Sequence, residues 1–317
     1  MTHAMAHRLY SATLVWTLAL LLLGSIVHAT ESSLACPDWP TCFGTMTPEM
    51  TGGVFWEHLH RLWAGGLVLL FVVATVALWR QAPPGSSLRR TALAGIALLL
   101  IQSVLGGLTV IYRLPDAIST SHLALAFLFL GLLTVLTVVT SRGWQERPPG
   151  DGSGLKRAGL LLAGLVFAQS ILGALVRHTD AGVACPDVPL CLGRVIPPLD
   201  HWMVQLHFGH RALGLAVAMV TAGAAVHVFR TSSEKVPRRL AGGLLIGVLA
   251  QVVLGFLSVA FQLHPATVSP HTLLAAGLLS MSVALATWGW ARAPKGASAD
   301  GAAPARDHSR WAGASPS

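Results

Sequence analysis

Eight long apolar runs constrain this chain more than any other feature, because charged side chains are nearly absent from them. Each run approaches the length of about 20 residues that an α-helix needs to cross a bilayer. A segment in hydrocarbon must satisfy its own backbone polar groups, and the runs lack the alternation of barrel strands, so we predict helices. The expected fold class is an all-α integral membrane protein with eight transmembrane helices. The predicted spans are residues 9–29, 57–79, 91–111, 120–140, 155–176, 204–230, 240–261 and 271–291.

The distribution of the basic residues along the chain indicates its orientation in a membrane. The formal net charge is +8, but only 11% of the residues are charged. Of the 21 Lys and Arg residues, only Arg61, Arg113, Arg177, Arg194 and Arg211 fall on one side of the predicted spans. Cytoplasmic loops carry such an excess of basic residues. We therefore predict a multi-pass protein of the cell membrane, in contact with membrane lipids and not with nucleic acid, with both termini cytoplasmic.

The chain contains an internal repeat, because features of its first half recur 149 residues later. Each half starts and ends on the cytoplasmic side, so we predict two pseudo-symmetric, parallel four-helix bundles related by an axis along the membrane normal. The predicted units are residues 1–145, residues 146–293 and a disordered cytoplasmic tail, 294–317. The matching positions are Cys36 with Cys185, Cys42 with Cys191, Gln102 with Gln251, His122 with His271 and, with one residue of slippage, His60–Arg61 with His210–Arg211.

Four histidines at duplicated positions indicate two pairs of metal ligands. A lone histidine near a helix end is more often an interfacial polar residue, but here His60, His122, His210 and His271 each open a predicted span near the outer face. Ionisable residues at that depth usually face a cavity. Two imidazoles from facing helices of a four-helix unit can bind haem iron from both sides. Zinc is less favoured, because each half offers two suitably placed histidines but no obvious acidic partner beside them.

The residues beside these histidines suggest binding and chemistry. Arg61 and Arg211 follow a histidine directly and suit carboxylates such as haem propionates. Glu57 lies three residues before His60, on the same helical face, whereas His207 holds the corresponding position in the second half. This difference suggests one site for reaction, with Glu57 as the catalytic group, and one for electron transfer or support. An ion pair between Glu57 and Arg61 at i, i+4 is the simpler alternative.

The four cysteines lie in two long outer loops as two C-x5-C pairs. We predict the disulfides Cys36–Cys42 and Cys185–Cys191, because the loops face an oxidising compartment. A redox role, in which a pair passes electrons to the cavity below, is the alternative.

Taken together, these motifs resemble those of the haem A synthases, specifically the cysteine-containing bacterial type. The resemblance covers residues 9–291. One segment departs from it: Thr30–Ala35 stands where the family commonly has a glycine-richer run. The motifs are Cys36-Pro-Asp-Trp-Pro-Thr-Cys42, Glu57-His58-Leu59-His60-Arg61, Thr120-Ser-His122, Cys185-Pro-Asp-Val-Pro-Leu-Cys191, Gly209-His210-Arg211 and Pro270-His271.

The resemblance implies a membrane oxidoreductase that converts the C8 methyl group of haem O to a formyl group, giving haem A for cytochrome c oxidase. The family reaction is understood as successive hydroxylations followed by loss of water. The resemblance also implies that His210 and His271 hold a resident haem b, and that His60 and His122 form the substrate site with Glu57 as the catalytic carboxylate. Haem O synthase and cytochrome c oxidase assembly are the implied partners.

Two other function classes compete with this interpretation. A dihaem bis-histidine electron carrier would use all four histidines for permanent haems, but a pure carrier has no use for Glu57 in one half only. A transporter would have broken helices and polar residues near the bilayer midplane. The few midspan polar residues here include Gln102, Gln169 and Gln251, whereas the ionisable residues cluster at the outer end.

Overall fold

The computed structural model describes residues 3–147 and 152–290, and within these ranges every regular element is helical. Eight helices are long and apolar enough to cross a membrane, which confirms the predicted all-α, multi-pass fold. The predicted tail, residues 294–317, lies outside the described residues. The helices are α1 (His3–Ala29), α2 (Gly52–Trp79), α3 (Ser87–Ile111), α4 (Asp116–Thr140), the short α5 (Arg142–Gln145), α6 (Ser153–His178), α7 (Trp202–Thr231), α8 (Lys235–Ala260) and α9 (Pro265–Trp288).

Several helices begin before the apolar runs do, because residues outside those runs cap them. His201 precedes α7, and its Nδ1 accepts the backbone N–H of Met203 at 3.3 Å. Pro265 starts α9, where its missing N–H costs nothing, and His264 Nδ1 accepts the N–H two residues on at 3.2 Å. The prediction that His271 opens its span was therefore wrong: α9 begins six residues earlier. The same correction applies to His60, His122 and His210, because all four candidate ligands lie about two turns inside their helices.

The long helices pack as two closed rings. In the first half, α1 packs against α2, α2 against α3, α3 against α4 and α4 against α1; α6, α7, α8 and α9 repeat this order. The rings meet where α1 and α4 contact α9 and where α4 contacts α6. Phe127 of α4 is buried in the core of the second half, whereas Phe129 of the same helix is buried in the core of the first. The symmetry relation between the halves stays a prediction.

An ion pair ties the connection between the halves to the second ring where α8 begins and α9 ends. Arg147 Nη2 lies 2.9 Å from Glu234 Oε1, and Trp288 Nε1 donates to Glu234 Oε2 at 2.7 Å. Burial alone would raise the pKa of Glu234, but the hydrogen bonds from Trp288 and Arg147 leave that pKa below its ordinary value. Glu234 precedes α8 and Trp288 ends α9, so this contact attaches the start of α8 to the end of α9.

Candidate functional site

A cavity of about 1040 Å³ lies between the helices and is lined by residues of both halves. Ligand pockets usually measure about 300–1,000 Å³, so this one is large enough for an extended ligand or for two. His60, His122, His210 and His271 all line it, as does Glu57. The structure thus brings the five residues that the sequence singled out to one cavity.

The four histidines come from alternate helices and form two pairs. His60 of α2 and His122 of α4 are close enough to interact electrostatically, and so are His210 of α7 and His271 of α9. In each pair the two ligands come from different helices of the same ring. This is the arrangement in which two imidazoles can approach one metal from both sides.

Glutamine amides support the second pair but not the first. Gln169 Nε2 lies 3.1 Å from His210 Nδ1 and donates to the His210 carbonyl at 2.8 Å. Gln251 Nε2 lies 3.3 Å from His271 Nε2. The buried Nδ1 atoms of His60, His122 and His271 have no hydrogen-bond partner among residues 3–147 and 152–290, so His271 has its glutamine contact at Nε2 only. An amide can donate to a ring nitrogen or, turned over, accept from it, so either glutamine can fix a tautomer.

Both glutamines stood out in the sequence as midspan polar residues, but only one of them had a partner in the repeat. Gln251 was visible as the repeat partner of Gln102, but the position that matches Gln169 is Leu20. The offset of the repeat therefore could not identify Gln169 as a partner of His210.

Glu57 holds the first cysteine loop against the cavity wall. Its side chain is 6% exposed, and its Oε2 accepts the backbone N–H of Cys36 at 2.8 Å. Its Oε1 accepts from Arg61 Nη2 at 2.6 Å, so the i, i+4 ion pair considered from the sequence is present. Arg61 Nη1 also donates to the carbonyls of Asp38 and Thr41 at 2.7 and 2.6 Å. We call this arrangement of Glu57, Arg61 and the first loop the carboxylate clasp.

The second half has a corresponding imidazole clasp, built from His207, Arg211 and the second loop. His207 Nδ1 lies 3.3 Å from the Cys185 backbone nitrogen, and His207 Nε2 lies 3.2 Å from Arg211 Nε. Arg211 Nη1 donates to the carbonyls of Asp187 and Leu190 at 2.8 and 2.7 Å. A neutral imidazole has one acceptor nitrogen, so His207 can accept only one of these two N–H groups. A carboxylate can accept both, and the carboxylate clasp is correspondingly shorter.

The two arginines are largely engaged by these loops. Three carbonyls accept from Arg61, including that of Cys36 at 3.4 Å, and three also accept from Arg211, including that of Cys185 at 2.5 Å. Both guanidinium groups also line the cavity. Contact with haem propionates stays a prediction, and holding the cysteine loops is the function that the sequence did not indicate.

Both predicted disulfides are present, and they pair all four cysteines. The S–S distances are 2.04 Å for Cys36–Cys42 and 1.99 Å for Cys185–Cys191. The ring of His58, a residue without an assigned role in the sequence, lies beside the first disulfide. Its Nε2 is 3.0 Å from the Met46 carbonyl oxygen, so His58 packs under the first loop.

The aspartate of each cysteine motif shapes its loop. Asp38 accepts hydrogen bonds from the Thr41 hydroxyl and from the backbone N–H of Gly44, and these lower the pKa of Asp38. Asp187 accepts the corresponding backbone N–H, that of Gly193. The loops therefore keep their form through contacts of their own and are attached to the helices by the clasps.

A second pair of histidines joins the halves at the C-terminal ends of α1 and α6. The rings of His28 and His178 lie 5.0 Å apart, and His178 Nδ1 is 2.9 Å from the Thr120 hydroxyl. Arg177 Nη2 lies 3.4 Å from Glu31 Oε1. Glu31 has a φ of 54°, a left-handed backbone that glycine adopts most easily. The departure from the glycine-rich family segment therefore leaves the backbone turn in place.

Comparison with known proteins gives the same family. The model of the COX15-CtaA family, described as cytochrome oxidase assembly protein, matches residues 7–283. The chain is 32% identical to haem A synthase of Symbiobacterium thermophilum over 265 residues, which cover 81% of this chain and 86% of that protein. It is 30% identical to haem A synthase of Geobacillus kaustophilus over 265 residues, covering 80% and 82%. The chain therefore belongs to the COX15-CtaA family of cytochrome oxidase assembly proteins.

Proposed function

We propose that the chain is a haem A synthase, a membrane oxidoreductase that converts the C8 methyl group of haem O to the formyl group of haem A. The observation that carries this proposal is the cavity shared by two histidine pairs and one buried carboxylate. Haem A synthases among its relatives support the same activity. Haem O is then the substrate, and haem b is the resident cofactor.

The residues of the cavity fit iron porphyrins. Haem iron takes a neutral imidazole nitrogen as an axial ligand, and each half supplies two such rings on facing helices. The lining is dominated by apolar side chains such as Leu99, Phe127 and Val248, which suits a porphyrin face. The volume of about 1040 Å³ exceeds that of most pockets for one ligand.

The glutamine contacts support the assignment of the two halves. Partners that orient a ligating histidine typically raise metal affinity by about 10- to 100-fold. His210 and His271 have such partners, which suits a haem b that stays bound. No hydrogen bond joins a glutamine side chain to His60 or His122 within residues 3–147 and 152–290, which suits haem O that must leave as product. The only carboxylate among these cavity residues, Glu57, is on the same side as the exchangeable pair.

The chain contributes orientation, proton transfer and exclusion of water. Bound haem b supplies one-electron redox chemistry. The carboxylate clasp fixes Glu57 on the cavity wall, where it can take a proton from the reacting group or stabilise positive charge that develops on the C8 methyl carbon. Arg61 positions that carboxylate through the contact at 2.6 Å. Residues of both cysteine loops, such as Trp39 and Leu190, also line the cavity, and we infer that these loops limit the access of water.

The proposal also includes the orientation of the chain in the membrane and its partners. Both termini lie in the cytoplasm and the cysteine loops lie outside the cell membrane, as the distribution of basic residues indicates. Haem O synthase supplies the substrate, and cytochrome c oxidase assembly consumes the product. Arg61 and Arg211 contribute to binding the haem propionates through donors that the loops do not use.

The test is expression with and without a supply of haem O, followed by extraction and identification of the haems. We expect haem A from the wild type and from Glu49→Gln, a control at an exposed loop glutamate. Glu57→Gln should keep haem b but form no haem A. Haem b alone from the wild type, with haem O supplied, would contradict the proposal and favour the dihaem electron carrier.

A further inference from the structure

Each of the four candidate ligands lies against a glycine of the preceding helix. The Cε1 edge of every ring faces the position where that glycine would carry a side chain. A Cβ atom placed there would lie 3.0 Å from His60 Cε1, 3.1 Å from His122, 2.8 Å from His210 and 3.2 Å from His271. The glycines concerned are, in the same order, Gly24 of α1, Gly106 of α3, Gly173 of α6 and Gly255 of α8.

These contacts are duplicated together with the ligands. Gly24 matches Gly173 and Gly106 matches Gly255 at the same offset of 149 that relates the halves. Close approach to a helix glycine is not in itself specific, because a Cβ on Gly66 would lie 2.8 Å from Trp16 Cζ2. A Cβ on Gly164 would meet no atom of the described residues within 4 Å, and one on Gly242 would make only an ordinary contact of 3.8 Å. Among the described helix glycines, an imidazole is the nearest neighbour within 3.2 Å only at these four positions; a Cβ on Gly154 would lie 3.7 Å from His227 Nε2, which is an ordinary contact.

We propose that Gly24, Gly106, Gly173 and Gly255 are positioning residues that fix the planes of the four haem-ligating imidazoles. Because each glycine lacks a Cβ, the ring edge can approach the backbone of the neighbouring helix. At Gly173 the added Cβ would lie 3.4 Å from His210 Nδ1 and 3.6 Å from Nε2, so the helix faces the edge that carries both nitrogens. We expect this close packing at one edge to restrict rotation of the ring about its Cβ–Cγ bond. This inference rests on the proposed role of the histidines as ligands.

The structure predicts different effects at the two ligands of the resident haem. At Gly173 the contact of 2.8 Å is shorter than real Cβ contacts, so the ring of His210 has to move. Gln169 contacts both the ring and the backbone carbonyl of His210, which limits that movement. At Gly255 the contact of 3.2 Å requires a displacement of only a few tenths of an ångström.

The experiment compares Gly173→Ala with Gly164→Ala on the same helix, and Gly255→Ala with Gly242→Ala on α8. Haem b content after washing, the electron paramagnetic resonance spectrum of the ferric protein and the midpoint potential are measured on detergent-purified full-length chains. Ligand orientation alters the last two, whereas a merely structural glycine would not. We expect Gly173→Ala to lower haem b affinity by about 10-fold or more, as loss of an orienting contact does. Gly255→Ala should shift the resonance spectrum and keep its haem.

The controls distinguish a failure of the positioning role from a failure of the proposed function. Gly164→Ala and Gly242→Ala should have the spectrum and potential of the wild type. If Gly173→Ala does not accumulate as a folded protein, Gly255→Ala decides the question, because its milder contact permits folding. Resonance spectra and potentials of the folded glycine variants that equal those of their controls would overturn the positioning role while leaving the proposed function intact. A wild type without haem b would instead contradict the proposed function.

Discussion

Replacing Glu57 with glutamine should release the first cysteine loop as well as remove the carboxylate from the cavity. Glu57 accepts from the Cys36 N–H at 2.8 Å and from Arg61 at 2.6 Å, and an amide of the same shape has only one oxygen. Its NH₂ group must then face one of two donors. The side chains of Arg61 and Glu57 are 13% and 6% exposed, so the weak coupling of surface ion pairs does not apply.

The magnitude follows from the burial of this pair. Removing one charge of a buried ion pair costs about 3–5 kcal/mol. If the loss falls on local opening of the loop, the Cys36 amide should exchange its hydrogen at least about 100-fold faster, because each 1.4 kcal/mol is worth about tenfold. The imidazole clasp offers the matched control, since His207→Gln replaces one acceptor by another and should change the exchange of Cys185 little.

The assay is hydrogen–deuterium exchange of peptides that cover the two cysteine loops. In Glu57→Gln the first loop should lose protection, and the second loop of the same molecule should keep it. Exchange of Cys36 that changes less than about threefold would refute the idea that Glu57 holds the loop. Glu57 would then act only on the substrate.

Three further predictions concern the ligands, the inner ion pair and the outer turn. His210→Ala should deplete the resident haem b, whereas His60→Ala should keep haem b and form no haem A; extraction of haems checks both, and the reverse pattern would exchange the roles of the halves. The lowered pKa of Glu234 means that its stabilisation is complete above the ordinary glutamate pKa of about 4.3 and is lost as the pH falls through the lower folded value. Thermal unfolding from pH 7 to pH 3.5 should therefore show a smaller loss of stability in Glu234→Gln than in the wild type; equal losses would contradict this. Glu31→Gly should raise the unfolding temperature, because a non-glycine residue at positive φ costs about 1–2 kcal/mol and the exposed ion pair with Arg177 is worth little. A lower unfolding temperature would show that the ion pair dominates.

The sequence was sufficient to predict the membrane helices and the main residues that line the cavity. Length and apolar composition alone decide which segments can cross a bilayer, so all eight spans were predictable. The repeat then placed His60, His122, His210 and His271 at comparable depths, and the structure brings them to one cavity. The cysteine pairs were predictable because a short loop leaves each cysteine one near partner.

Contacts of the outer loops and between helices were beyond the sequence. The apolar pattern cannot predict that a helix begins before its apolar run, as α9 does after its capping residue His264. The hydrogen bond from the Cys36 N–H to Glu57 joins residues 21 positions apart in the sequence. The loop between them has no periodic pattern from which this contact could be predicted. Gly173 could be recognised as a repeated glycine but not as a neighbour of His210, because the rotation of α6 against α7 depends on packing.

The optical spectrum of the purified chain tests the central claim most directly, since the account requires that imidazoles from neighbouring helices bind porphyrin iron. We predict a Soret band from a six-coordinate haem in the wild type, and its loss when His210 and His271 are replaced by alanine. A wild-type protein without Soret absorption, or a full spectrum after all four histidines are replaced, would contradict the account.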